Sequence, residues 1–143
     1  MKNDARRLNE EADEIIEELK KTRARLSDMA RIGHYGGVVT WDALDSIKVG
    51  MPFSPASGIV MHRIADNLPG VILIFARMEP GAYLLTHEHD CWERGTVLWG
   101  ETLVNDGRHH PFESFLFEPG ERHRLFSQTG CAMILTYRKE KPA

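Results

Sequence analysis

The sequence is poor in cysteine. Only Cys91 and Cys131 occur in 143 residues, too few for a disulfide framework, so a reducing cytoplasm is the expected setting. No apolar run approaches the roughly 20 residues that a membrane-spanning helix needs. The N-terminus is rich in acids and has no apolar core of a signal peptide. Excess positive charge is also lacking. Eighteen Lys and Arg against 21 Asp and Glu give a formal charge of −3. That removes the electrostatic case for nucleic acid or an anionic membrane as partner. What remains is ordinary for a globular chain: 42% hydrophobic and 27% charged residues, in a length that fits one compact domain.

Glycine and proline are missing from residues 4–32, and that stretch reads as a helix. Leu8, Ala12, Ile15, Leu19, Thr22, Leu26 and Met29 form an a/d seam, and Gly33 stands where the helix would stop. Glu10, Glu11, Asp13, Glu14, Glu17 and Glu18 make an acidic first half. Lys20, Lys21, Arg23, Arg25 and Arg31 make a mostly basic second half, interrupted by Asp28. This order suits the helix dipole. The seam either docks on the rest of the domain or pairs two copies antiparallel, and both remain open. Residues 1–35 are thus set apart from residues 36–143.

Past Gly36-Gly37 the texture changes. Short apolar or alternating runs recur at Val38–Trp41, Ile47–Met51, Ile59–Ile64, Val71–Met78, Tyr83–His89, Thr96–Leu98, Thr102–Val104, Phe112–Phe117, His123–Ser127 and Ala132–Tyr137. Turn signals separate them, among them Pro52, Pro69-Gly70, Pro80-Gly81, Asp106-Gly107 and Pro119-Gly120. Many short strands with such turns predict a β-sandwich or barrel. Asp106-Gly107 is a hairpin signal.

His87 and His89 lie two apart, so in a strand both rings project to one face. Glu93 shares their parity. Two imidazoles and a carboxylate can converge on a divalent transition metal. His123, which opens a later run after the Pro119-Gly120 turn, is the candidate fourth ligand.

These residues carry a family resemblance. Gly81, five residues, His87-Glu88-His89, three residues, Glu93, six residues and Gly100 resemble the first motif of the cupin superfamily at every anchor. The second motif fits in part. Gly120 and His123 are in place, but proline immediately precedes the glycine, Phe112 stands for the leading glycine and Ser127 for the asparagine. The resemblance spans about residues 37–138. It implies a mainly β fold, a cupin-type double-stranded β-helix or jelly-roll barrel, here with an N-terminal α-helix. It also implies that His87, His89, Glu93 and His123 hold one divalent transition metal ion (Fe, Mn, Ni or Zn).

The remaining candidates divide by parity. Tyr83 and Leu85 would line the interior, with core packing the expected role of Tyr83. Gly95 enlarges the space beside the metal, lets the backbone approach a ligand, or marks a β-bulge, and these stay open. Cys91 is expected half-buried in a turn and Cys131 in the core. His34, His109 and His110 read as surface or rim residues, and His62 as outward or a satisfied core residue. Arg77, Arg122 and Arg124 are candidates for a carboxylate clamp, although Arg122 and Arg124 face away from His123.

Two functions follow from the resemblance. One is a metal-dependent enzyme, an oxidoreductase of the dioxygenase kind or a lyase or isomerase, acting on a small chelating organic substrate. There Glu93 serves as ligand and as base. The other is a non-catalytic sensing domain for a small ligand or metal, whose helix is the dimerisation or partner-binding element. Either way the expected protein is a cytoplasmic homodimer with a small-molecule partner.

Overall fold

The computed structural model describes residues 37–105 and 107–142. The expected N-terminal helix with its seam, and His34, lie outside the described residues.

Among the described residues, eleven strands and one short helix follow in order. They are β1 (Val38–Val39), α1 (Trp41–Asp45), β2 (Pro52–Phe53), β3 (Ile59–Ala65), β4 (Val71–Met78) and β5 (Ala82–His89), then β6 (Trp92–Gly100), β7 (Thr102–Val104), β8 (Gly107–His109), β9 (Ser114–Phe117), β10 (His123–Ser127) and β11 (Cys131–Arg138). They build two sheets, β1-β5-β10-β7-β8 and β2-β3-β4-β11-β6-β9. The mainly β jelly-roll architecture is the one the sequence predicts.

Period-2 alternation explains why these segments are strands. In β3, β4 and β11 buried and part-exposed residues alternate almost without a break. Ile59, Met61, Ile72, Ile74, Met133 and Leu135 thereby point inward and are buried. Each such side chain contributes about 1.5–3 kcal/mol relative to leaving it in water.

Several boundaries differ from expectation, each for a local reason. The Val38–Trp41 run is not one strand. Pairing stops after Val39, and the Thr40 hydroxyl accepts a hydrogen bond from the Ala43 N–H at 3.1 Å, capping α1. Ile47–Met51 contributes only an isolated bridge from Val49 to Arg63. Pro52, read as a turn residue, opens β2. That strand pairs only with β3 at the sheet edge, where proline's missing N–H is tolerated. The β7–β8 hairpin exists, but Val104 pairs with Gly107. The turn therefore begins at Asn105, at φ 54°, and Gly107 already belongs to β8.

The expected Phe112–Phe117 strand begins at Ser114. Phe112 precedes it in a turn, at φ 71°. The backbone at this position of the second motif therefore takes the left-handed conformation that glycine adopts freely and phenylalanine adopts at a cost.

The topology sets up one end of the barrel. Asp90 and Cys91 alone separate β5 from β6, yet these strands lie in different sheets. Antiparallel pairing of β10 with β5 places His123 opposite His87. Residues from both sheets thus meet across the interior.

Candidate metal centre

His87, His89, Glu93 and His123 meet inside the barrel. One ligand atom from each lies within 4.8 Å of all the others, and all four residues are buried, at 1–2% exposure. β5 supplies His87 and His89 on one face, as their spacing predicts. β6 supplies Glu93 and β10 supplies His123. The rings are close: His87 lies 4.4 Å from His123 and 5.0 Å from His89, centroid to centroid.

Backbone carbonyls fix all three imidazoles. Nδ1 of His87 lies 2.7 Å from the Leu85 oxygen, that of His89 3.0 Å from the Val39 oxygen, and that of His123 3.0 Å from the Glu121 oxygen. A carbonyl can only accept, so each Nδ1–H donates. In the neutral ring this leaves Nε2 as a lone pair. Nε2 of His89 stands 2.7 Å from Oε2 of Glu93, and Nε2 of His123 stands 3.6 Å from Oε1. Yet Nε2 of His89, Nε2 of His123 and Oε2 of Glu93 are buried without a hydrogen bond. Acceptors face acceptors, at a cost that either extra protons or a cation would remove. Three imidazole nitrogens and a carboxylate suit a first-row transition metal, so the residues present fit the ion that the motif implies.

The electrostatics of the cluster follow from burial and mutual charge. Burial, reinforced by the charges of His123 and His89, pushes His87 down to about 3. Burial alone would raise the Glu93 carboxyl, but the charges of His89 and His123 outweigh it and hold it well below the usual range. Burial also pulls His123 down. The Glu93 carboxylate more than restores it, and the ring ends above its ordinary value.

Two aromatic residues that sequence reasoning did not assign to the site shape its walls. In the sheet Glu93 pairs with Tyr137 on one side and with Phe117 on the other. Phe117 stacks flat on His123, with centroids 4.0 Å apart at 7°. Tyr137 packs on His89 at 5.0 Å. Burial, together with the neighbouring Glu93 charge, pushes the Tyr137 hydroxyl well above its usual range. Their only sequence signal was an inward parity that many core residues share.

Gly95 has a use that none of the expectations named. It pairs with Phe115 across β6 and β9, and the Phe115 ring lies over it. A Cβ built on Gly95 would come within 2.6 Å of Phe115 Cε1 and nearer still to Cζ and Cε2. The register shift in β6 falls at Leu98, between Val97 and Trp99. The space is therefore filled by a side chain of the protein and is not a bulge.

The other candidates lie outside the cluster. Cys91 is fully buried rather than half-buried, and burial pushes its thiol up to about 12, the opposite of a reactive thiolate. Cys131 and Tyr83 are core residues. His62 lies on the partly exposed side of β3, and His109 and His110 at the β8 rim. Arg77 is exposed, and Arg122 pairs with Glu88 on the surface at 3.4 Å.

No family model matches the sequence, and no curated protein matches it either. Solved structures do match in fold. An RmlC-like cupin from Shewanella frigidimarina superposes at a TM-score of 0.58 with 19% identity, covering 67% of this chain and 92% of that one. KdgF from Halomonas sp. gives 0.57 with 17% identity, covering 67% and 96%. The polyketide cyclase RemF from Streptomyces resistomycificus gives 0.54 with 17% identity, covering 68% and 78%. At such identities the likeness establishes the fold, which is that of the cupins.

Proposed function

We propose that this cupin-fold protein is a metal-dependent enzyme acting on a small chelating organic substrate. His87, His89, Glu93 and His123 hold its ion. The observation that carries the proposal is the buried convergence of one donor atom from each of the four residues within 4.8 Å, with every imidazole Nδ1 held at a backbone carbonyl. Such an ion, when bound, supplies Lewis-acid or dioxygen-activating chemistry, so dioxygenase and lyase or isomerase are the two reaction classes. The chain's own residues do the rest. The carbonyls orient the imidazoles. Phe117 and Tyr137 keep water from the ring faces. Glu93 stays ionised and is the candidate base. The RemF likeness supports catalysis on this scaffold, since that neighbour is a cyclase.

The first test is elemental analysis of the native protein. It should carry stoichiometric Fe, Mn, Ni or Zn, and His123→Ala should lose it. Oxygen uptake with a panel of small acids and thiols then separates dioxygenase from lyase or isomerase. A metal-free native protein whose stability is unchanged by His87→Ala would sink the proposal.

The burial of all four donors favours a second reading, a non-catalytic sensing domain. Its mark would be stoichiometric metal or ligand binding with no turnover of any substrate. For either reading we infer a cytoplasmic homodimer, and the two free, buried thiols are consistent with a reducing setting.

A further inference from the structure

The outer wall of the barrel carries a second feature, independent of the metal centre. Strand alternation makes β6 and β11 two-sided here. Glu93 and Tyr137 point in, while their neighbours Trp92, Arg94, Thr136 and Arg138 point out. Those four residues and Pro142 line a cavity of about 350 Å³. That is within the size range of small-molecule sites.

The charge in this cavity is one-sided. Thr136 pairs with Arg94 and Arg138 with Trp92, so the two arginines are diagonal neighbours on one face, a spacing of roughly 7–8 Å. Among the described residues no acid lines the cavity. Arg63, Arg108 and Arg122 each face a carboxylate. Among the described residues Arg94 and Arg138 have no such partner. A third cation is near, with the Lys141 ammonium 5.8 Å from the centre of the Trp92 ring. Like charges held this close repel, and an anion between them would turn the repulsion into paired hydrogen bonds.

We propose that this outer cavity binds a small anion with a flat body. Its carboxylate or phosphate head lies between Arg94 and Arg138, and its flat body lies against Trp92. Two guanidinium forks recognise the head, and the indole and Pro142 receive the body.

The test uses the full chain, titrated calorimetrically with phenyl phosphate, benzoate and inorganic phosphate. At least one should bind saturably, and the stronger of the first two identifies the head group. Arg94→Gln and Arg138→Gln should each weaken binding roughly tenfold or more, the loss expected for one charged hydrogen bond. Arg108→Gln should leave it unchanged. Removing one of two repelling charges should not unfold the protein, and a thermal melt checks this. His87→Ala should bind the anion as the parent does, which separates this site from the metal centre. Three results would overturn the proposal: no saturable binding of any probe; binding that survives both arginine substitutions; or binding that appears only after residues 1–32 are removed. The last would identify the chain's own acidic segment as the occupant.

Discussion

Gly95→Ala is a one-carbon change whose effect can be worked out from the structure. The new methyl would sit within 2.6 Å of Phe115 Cε1, against an ordinary carbon contact of about 3.5 Å. The ring must therefore withdraw by more than about 1 Å, because Cζ and Cε2 lie nearer still. It has little room to do so. Phe115 is buried, with Phe117 at 5.4 Å and His109 at 5.5 Å, and Phe117 is stacked on His123. Overpacking of this kind costs about 3 kcal/mol, at the upper end of the usual range. Phe115→Ala alone should cost a similar amount, about 3 kcal/mol, through the cavity it leaves. In that background the clash is gone, and Gly95→Ala should stabilise by about 0.5 kcal/mol because alanine loses less backbone entropy in a strand. The two changes should therefore couple by about 3.5 kcal/mol. Urea unfolding of the four proteins, at constant m-value, measures this. Additivity within about 0.5 kcal/mol would refute the account of Gly95 as the seat of the Phe115 ring.

Three further outcomes are expected. Phe112→Gly should raise stability by about 1 kcal/mol, because the position sits at φ 71° and the side chain is 83% exposed; a loss in thermal melts would mean that the ring packs on something. The metal-free protein should lose about 2 kcal/mol between pH 6.5 and pH 5. Over this window the unfolded chain protonates His87 while the folded chain, with its value near 3, does not. Glu93 acts in the same direction only below about 4.5, and the raised His123 titrates above 6.5, so His87→Gln should flatten that slope in denaturation curves. Finally, deletion of residues 1–32 should turn a dimer into a monomer in sedimentation analysis if the seam is the pairing element, whereas a surviving dimer would point to the barrel edges.

The legible part of this protein was whatever the pleat encodes. His87 and His89 declare a shared face by their spacing, Glu93 stands in a motif bounded by Gly81 and Gly100, and His123 follows Gly120 at motif spacing. The walls of the site were not legible. Phe117 and Tyr137 become neighbours of Glu93 only through the register of β9 and β11, and register between distant strands has no local signature. Gly95 shows the same limit. Its partner is a ring 20 residues further along, so the sequence suggests an empty space where the fold has a full one. The carbonyl of Val39 is a further case. It orients His89, yet any residue could supply it, and no side-chain pattern marks it.

That carbonyl also sets an order in time. Val39 leaves the ribosome 50 residues before the His89 it supports, about 3–10 s at ordinary rates of synthesis. Among the described residues β1 has no strand partner until the end of β5 arrives, since it pairs there. His123 comes later still. A nascent chain can therefore present two imidazoles and a carboxylate before the fourth donor exists. Among the described residues the first-made strand waits for the end of β5, and the incomplete trio stands open until His123 is made.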